Sequence, residues 1–385
     1  MPKYIMVQGC TSNAGKTTLC AAICRILKED GYKVAPFKAQ NMGLNSYIDS
    51  EGRELGFGQA LQAFACGIEP KAWMNPILLK PIGDGEINLI LNGEYEMTLK
   101  GSEFGNQKQE YLDKAISILE ENTKDYDIVV LEGAGSPAEI NMVKPDIANM
   151  GLATALNANV ILVGNIELGG VFASLYGTYS LLEKNERELI SGFIINKLHG
   201  YANLLDSGIN IMEEKMNIQS LGVLPFMELD LEDEDMTTFN KIEQDALLKI
   251  AILKSPYATN LNMFKQLTYY RNVSVVLVDK DKCLDGYDAI IIPMSANFKR
   301  DSEFFEKFNQ YENKIYSANG DYIAKNIYTN NIVEELKKKN GFNDEDINLE
   351  TKVEELRERE LDRLATNVRD NLDMDILYKT IKIEK

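Results

Sequence analysis

Short apolar runs recur along the first 200 residues of the chain and predict buried strands. They occupy residues 4–8, 32–38, 126–132, 159–163 and 192–196. The segments between them include residues 19–27 and 111–122, where apolar side chains recur at helical spacing. Strands that alternate with helices are typical of a parallel sheet with helices on both faces. The pattern therefore predicts an α/β fold.

The second half of the chain repeats this pattern on a smaller scale. Further strand-like runs lie at residues 249–253, 273–278 and 289–293. Six acidic residues fall within residues 228–235, and such a charge run is typical of a solvated linker. We expect a first domain over residues 1–235, an acidic linker region over 236–247 and a smaller α/β domain over 248–385.

The last part of the chain is charged and predicts a helix. Its apolar residues form one stripe at helical spacing, made of Leu356, Leu361, Leu364, Val368 and Leu372. Such a stripe predicts a helix that docks on another surface. We interpret Leu361 and Leu364 as a surface through which the chain forms a homodimer.

A glycine-containing loop connects the first predicted strand to the first predicted helix. It runs from Gly9 to Gly15 and is followed by Lys16 and Thr17. A strand, a glycine loop and a helix that opens with Lys-Thr are the context of a phosphate-binding loop, or P-loop. In such a loop, backbone N–H groups at the helix N-terminus face the phosphates, the lysine reaches the outer phosphates and the threonine binds Mg²⁺. An ordinary strand-to-helix turn is the alternative.

The loop predicts a P-loop NTPase-type fold that binds ATP and Mg²⁺. Five residues separate its two glycines, where the common motif has four. The candidate nucleotide-binding residues of this segment are Gly9, Asn13, Gly15, Lys16, Thr17 and Thr18.

Two further charged residues end predicted strands. Lys38 ends the second strand and is a candidate for a second cation on a transferred phosphate; a solvated lysine is the alternative. Glu132 ends the strand at residues 126–132, and an acid at this place beside a P-loop is the usual second Mg²⁺ ligand. Its alternative is an acid that caps the following turn.

The composition restricts the chemistry. A net charge of −18 argues against a nucleic-acid surface, which needs a basic face. There is no run of 18 apolar residues, so we expect no membrane span, and the opening Met-Pro-Lys predicts no signal peptide. Five cysteines without a Cys-x-x-Cys pair predict a reduced, cytoplasmic protein. His199 is the only histidine, which argues against histidine-based zinc sites.

Longer strings resemble the cobyric acid synthase family of cobalamin biosynthesis, a group of dethiobiotin-synthetase-like ATPases. The five-residue spacing of the P-loop is typical of that superfamily. The matching strings are residues 35–42, 74–81, 131–141, 169–173 and 231–235, with a C-terminal helix near residues 361–374. The resemblance implies ATP-dependent phosphorylation of corrin side-chain carboxylates, followed by attack of ammonia to give amides.

The resemblance also assigns roles to individual residues. Lys16 and Lys38 would stabilise the transferred phosphoryl group, and Thr17 and Glu132 would hold Mg²⁺. Asn196 would contact adenine. Asp146 would help to organise the corrin site.

The chain departs from the family in its second half. Family members carry a glutamine amidotransferase domain with a cysteine nucleophile, and here Asn319 takes the place of that cysteine. Residues 293–297 replace the family's Pro-Gly-Ser-Lys-Asn, and no histidine follows His199. An amide is not a nucleophile, and the remaining thiol, Cys283, would lack a base. We therefore predict a degenerate amidotransferase-like domain without glutaminase activity, so that ammonia is free or comes from a separate glutaminase.

The predicted substrate side departs as well. Where the family has arginines, this chain has Phe57 and Leu168, which cannot bind a carboxylate. The loss of these arginines weakens the case for a corrin substrate with many carboxylates. Two hypotheses stay open: a ligase that acts on a corrin or a related polycarboxylate, and a diverged nucleotide-binding paralogue with another substrate or a regulatory role. A dethiobiotin-type carboxylase is the weakest alternative, because residues 131–141 fit the cobyric acid synthase family better.

Overall fold

The computed structural model of the chain describes residues 2–141, 146–231, 240–279, 283–318, 325–326 and 329–383. Its first part is an alternation of strands and helices. In chain order these are β1 (Lys3–Gly9), α1 (Lys16–Glu29), β2 (Val34–Phe37), β3 (Gln40–Met42), β4 (Ser46–Ile48), β5 (Glu54–Gly56), α2 (Phe57–Cys66), β6 (Ile77–Gly83), β7 (Glu86–Leu91), β8 (Glu94–Lys100), α3 (Gly101–Asn106), α4 (Lys108–Asn122), β9 (Ile128–Glu132), α5 (Met150–Leu156), β10 (Asn159–Asn165), α6 (Val171–Leu181), α7 (Lys184–Arg187), β11 (Ile190–Leu198), α8 (Asp206–Met216) and β12 (Gln219–Pro225).

The second part continues with shorter strands and ends in helices. They are β13 (Leu248–Leu253), β14 (Ala258–Thr259), β15 (Val273–Val278), β16 (Ala289–Ile292), β17 (Met294–Ser295), α9 (Phe298–Glu306), β18 (Ile315–Ser317), β19 (Lys325–Asn326), α10 (Thr329–Asn340), α11 (Val353–Asn371) and α12 (Met374–Ile381). Short 3-10 helices lie at Ala72–Met74, Ala202–Leu205, Leu261–Tyr269 and Asn309–Lys314.

A six-stranded parallel sheet forms the centre of the first part, in the order β12-β11-β10-β1-β9-β2. Val7 of β1 pairs with Glu132 of β9 on one side and with Ile161 of β10 on the other. The carboxyl ends of these strands therefore meet at one edge, which is where open α/β sheets bind ligands.

Helices cover both faces of this sheet, as the apolar runs predicted. Ile5 and Val7 of β1 pack toward α1 and α2, whereas Met6 packs into the opposite core, which contains residues of α4, α5, α6 and α8. Strands buried on both faces read as continuous apolar runs. This explains why their positions were visible in the sequence.

The second part has its own parallel sheet, in the order β15-β13-β16-β18-β19. It touches the first part at β4 and at β6, and β6 belongs to a four-stranded sheet in the order β3-β6-β7-β8. Asn297 donates a hydrogen bond to the carbonyl of Ile82 (3.0 Å), and the Asn260 side chain accepts one from the N–H of Ser46 (2.7 Å).

The C-terminal helices correct one prediction. Leu361, Leu364 and Val368 are buried in the core that α1 shares with the first sheet, so they are not a dimer surface. The Arg25 side chain of α1 also binds Glu358 (2.8 Å) and Asp362 (2.8 Å) of α11. Although the predicted division placed this helix in the domain at 248–385, α11 and α12 pack on the first part.

Several predictions fall on residues outside the described ranges. These are Asn319, which takes the place of the family's nucleophilic cysteine, residues 232–235 of the acidic run and residues 236–239 of the linker region. The 293–297 segment, which also departs from the family, is described and contains β17.

Candidate active site

The P-loop lies between β1 and α1, as predicted, and its glycines are sterically required. Gly15 has a φ of 88°, and a Cβ atom there would lie 2.3 Å from the amide nitrogen of Asn196. A Cβ atom on Gly9 would lie 2.8 Å from the Thr11 carbonyl oxygen and 2.9 Å from Nζ of Lys16. Only glycine avoids these close contacts, so both positions leave the loop backbone accessible to a ligand.

The neighbouring strand ends hold the loop in place. Asn196, at the end of β11, donates from Nδ2 to the Ala14 carbonyl oxygen (2.9 Å), and its Oδ1 accepts from the N–H of Lys197 (2.8 Å). Asn165, at the end of β10, donates to the carbonyl oxygen of Asn13 (3.4 Å). Asn13 has a φ of 56°, a left-handed conformation that asparagine tolerates.

Two neighbouring threonines at the start of α1 donate hydrogen bonds to different parts of the site. Thr18 donates from Oγ1 back to the carbonyl oxygen of Gly15 (3.0 Å) and so closes the first helical turn. Thr17 instead donates to Oε1 of Glu132 at the end of β9 (2.9 Å). The hydroxyl and carboxylate predicted to bind Mg²⁺ are thus brought together, although 115 residues separate them.

Lys38 joins the same carboxylate. Its Nζ lies 2.8 Å from Oε1 of Glu132, and the two side chains are 6% and 1% exposed. Both alternatives drawn from the sequence are excluded, because Lys38 is not solvated and the Glu132 side chain binds charged and polar partners of the site rather than the turn after β9.

Sequence reasoning did not assign a role to two glutamines of α2. Gln59 (3.2 Å) and Gln62 both donate from Nε2 to Oε2 of Glu132. Thr17 and Lys38 bind the other carboxylate oxygen, Oε1. Gln62 also lies 3.3 Å from the Thr17 carbonyl oxygen. The available signal was their spacing: they stand three residues apart, on one face of an otherwise apolar helix.

These contacts set the charges of the site. Burial would raise the pKa of Glu132, but Lys38 and the hydrogen bonds from Gln62 and Thr17 outweigh it and hold that pKa below its usual value. Burial lowers the pKa of Lys16; Glu132 opposes this effect and the nearby Lys38 adds to it. An anionic carboxylate therefore stands beside two lysines.

Lys16 also connects the P-loop to the loop after β9. Its Nζ donates to the carbonyl oxygens of Gly135 (3.0 Å) and Thr11 (3.3 Å). Asn149 donates to the carbonyl oxygen of Ala134 (2.7 Å), which fixes the same loop from behind.

Asp146 does not join the cluster around Glu132. Its carboxylate accepts from the backbone N–H groups of Ala148 (3.1 Å), Asn149 (3.1 Å) and Met150 (3.2 Å), at the start of α5. Burial raises its pKa, although these hydrogen bonds oppose the effect. Asp146 thus orders the segment that carries Asn149, and its predicted role at a corrin site stays a prediction.

A cavity of about 770 Å³ opens over the P-loop, within the usual range for small-molecule sites. Lys38 and Glu132 line it on the β9 and β2 side of β1, and Asn196 and Pro225 line it on the β11 and β12 side. The first side carries the charged side chains Lys38 and Glu132. On the second side the lining residues are largely apolar: Leu224, Pro225, Phe226, Met227, Leu229 and Leu231.

The residues present fit a magnesium nucleotide. Mg²⁺ prefers oxygen ligands and binds through one or two protein groups together with phosphate oxygens and water, so Thr17 and Glu132 are a suitable pair. Within the described residues no cluster of three or more His, Cys, Asp and Glu side chains forms a metal cage of its own. The open backbone at Gly9 and Gly15 and the ammonium group of Lys16 suit phosphates.

The sheet, the P-loop and this cluster define a P-loop nucleotide-binding protein. Residues 5–238 match the CobQ/CobB/MinD/ParA nucleotide binding domain. The chain belongs to this family.

Curated relatives are similar over a longer stretch. The cobyric acid synthase of Clostridium acetobutylicum is 45% identical over 311 residues, which cover 81% of this chain and 63% of the relative. That of Clostridium kluyveri is 45% identical over 328 residues, covering 84% and 65%. The chain thus spans less than two thirds of the length of these relatives.

Among solved structures, chloroplast FtsY from Physcomitrella patens matches with a TM-score of 0.35 and 15% identity, over 59% of this chain and 60% of that one. A TM-score and a sequence identity this low say nothing about function. In the described part of the chain, no helix combines the length and the apolar character needed to cross a membrane.

Proposed function

We propose that the chain is an ATP-dependent ligase that converts side-chain carboxylates of a corrin or a related polycarboxylate into amides. The observation that carries the proposal is the convergence of Lys16, Thr17, Lys38 and Glu132 around one cavity. The similarity to cobyric acid synthases supports the reaction class.

The proposed reaction has two steps. A carboxylate oxygen of the substrate attacks the γ-phosphorus of ATP, the bond from that phosphorus to the β–γ bridging oxygen breaks, and ADP leaves. Ammonia then attacks the carbonyl carbon of the acyl phosphate, the carbon–oxygen bond to phosphate breaks, and the nitrogen loses one proton. A carboxylate alone is a poor electrophile, and phosphorylation supplies the leaving group.

The chain's own residues would serve the first step by positioning and by charge. Lys16 and Lys38 would neutralise the transferred phosphoryl group, and the backbone N–H groups of the P-loop would hold the phosphates. Gln59 and Gln62 would keep Glu132 in place. Mg²⁺, held by Thr17 and Glu132, would screen phosphate charge.

We further propose that the chain itself does not hydrolyse glutamine. Its one histidine, His199, lies on the loop after β11, where Nε2 is 3.1 Å from Oε1 of Glu167, and its ring stacks on Phe226. Cys283 is exposed, and its thiol lies beside Asp285 (3.1 Å). Ammonia would then be free or come from a separate glutaminase.

A second function rests on the substrate side of the site. Leu168, in place of a family arginine, is 74% exposed, and Phe57 lines the cavity beside the P-loop. These side chains cannot pair with carboxylates. They favour a diverged nucleotide-binding paralogue with another substrate or a regulatory role.

The decisive experiment is mass spectrometry of adenosylcobyrinic diamide incubated with the protein, ATP and Mg²⁺, with ammonium chloride or glutamine in parallel tubes. We expect stepwise conversion of acid to amide with ammonium and none with glutamine. Lys38→Ala should abolish conversion, while Lys33→Ala, at an exposed lysine before β2, should not.

Two other outcomes would contradict parts of the proposal. Conversion of acid to amide in the tube with glutamine would contradict the loss of glutaminase activity. ATP binding without conversion in either tube would reject the ligase in favour of the diverged paralogue.

A further inference from the structure

The C-terminal helix α11 reaches the cavity over the P-loop. Leu364, Asn367 and Val368 line the same cavity as Lys16 and Thr17. More than 340 residues separate the two groups along the chain. The cavity therefore has a wall that the P-loop motif does not predict.

The sheet order indicates which end of a nucleotide this wall would face. Lys38 and Glu132 lie on the β2 and β9 side of β1, so terminal phosphates belong there. The base must then extend toward the opposite side, over β11 and β12. There α11 packs against β12, and Leu364 and Val368 add buried apolar surface to the cavity wall. This apolar part of the cavity, here called the slot, suits a purine ring.

Asn367 is a second amide in that slot, in addition to Asn196. Asn196 uses one N–H to hold Ala14 and accepts from the N–H of Lys197, and its predicted contact with adenine stays a prediction. Asn367 is half-buried, and among the described residues its side chain has no hydrogen-bond partner. An asparagine amide matches the edge of adenine, because it accepts from the N6 amino group and donates to a ring nitrogen.

We propose that Asn367 recognises the adenine base of ATP and that α11 forms the wall of the base pocket. This inference rests on the proposed nucleotide-binding function. The helix is already fixed for this role: Arg25 of α1 binds Glu358 and Asp362, and Arg369 reaches Glu29 (3.3 Å). These contacts join the base wall to the P-loop helix α1.

The test compares the binding of Mg·ATP, Mg·GTP and inorganic tripolyphosphate by titration calorimetry. Tripolyphosphate carries the phosphates and no base, so it reports on the P-loop alone. We expect Asn367→Ala to weaken ATP about tenfold, to remove most of the preference for ATP over GTP, and to leave tripolyphosphate unchanged. Asn367→Trp, which fills the slot, should weaken ATP further. Thr366→Ala, one residue away and exposed, is the matched control.

The outcomes separate this inference from the proposed function. If Asn367→Ala leaves ATP affinity unchanged, or weakens tripolyphosphate as much as ATP, the base assignment is wrong while the phosphate site stands. If the wild-type protein binds neither ATP nor tripolyphosphate, the nucleotide-binding function fails and the base assignment fails with it.

Discussion

Replacing Lys38 with methionine would test the charge balance of the site in the absence of any ligand. The change removes the ammonium 2.8 Å from Oε1 of Glu132 and leaves a carboxylate that is 1% exposed. Removing one partner of a buried ion pair costs about 3–5 kcal/mol. Because Thr17, Gln59 and Gln62 still donate to this carboxylate, we expect the low end, about 3 kcal/mol at neutral pH.

The pH dependence identifies the cause. In the wild-type protein the pKa of Glu132 is lowered, so its contribution to stability is complete at neutral pH and declines only as the pH falls below about 4. Without Lys38 we expect burial to dominate and to raise this pKa. The folded variant then takes up a proton more readily than the unfolded chain, so lowering the pH from 7.5 to 5 should recover part of its lost stability.

Urea unfolding followed by circular dichroism at pH 7.5 and pH 5.0, without nucleotide, measures both effects. The double variant Lys38→Met with Glu132→Gln should regain most of the stability, because it no longer buries an unpaired charge. Lys33→Met is the control. A loss below about 1 kcal/mol, or an equal loss at both pH values, would refute the reasoning.

Three further predictions concern the loop and its supports. Gly15→Ala should weaken ATP binding at least tenfold by titration calorimetry, because of its positive φ and the close Asn196 amide, whereas Gly177→Ala in α6 should have no effect. Arg25→Met should destabilise the protein by about 2 kcal/mol in urea and speed proteolysis of α11, and the exposed Arg359→Met should do neither. Asp146→Ala should cost about 1 kcal/mol by removing the acceptor of three backbone N–H groups at the start of α5; an unchanged urea midpoint would contradict this role.

The P-loop was predictable because its chemistry is local. The strand, the glycines and the Lys16-Thr17 pair are contiguous, and each residue type there has one steric or chemical reason. The apolar strands were visible for a similar reason, since burial on both faces leaves no polar alternation.

The polar shell of Glu132 was not predictable in the same way. Gln59 and Gln62 come from α2, some 70 residues before the carboxylate that they bind, and only the folded chain brings them together. The apolar stripe of α11 was read correctly as a docking face. The predicted docking partner, a second copy of the chain, was wrong. An apolar stripe does not indicate whether it packs on another molecule or on the chain's own α1.

The docking of α11 on α1 also makes the first core discontinuous along the chain. The polypeptide leaves this core after Leu231, builds a second sheet and returns with Val353–Asn371. Contacts between α1 and α11 span more than 330 residues, so they close a very long loop, and we expect them to form after the local contacts. A fragment cut after residue 235 would expose the face of α1 that Leu361 and Val368 cover. The P-loop half is thus completed only after the entire second sheet has been synthesised.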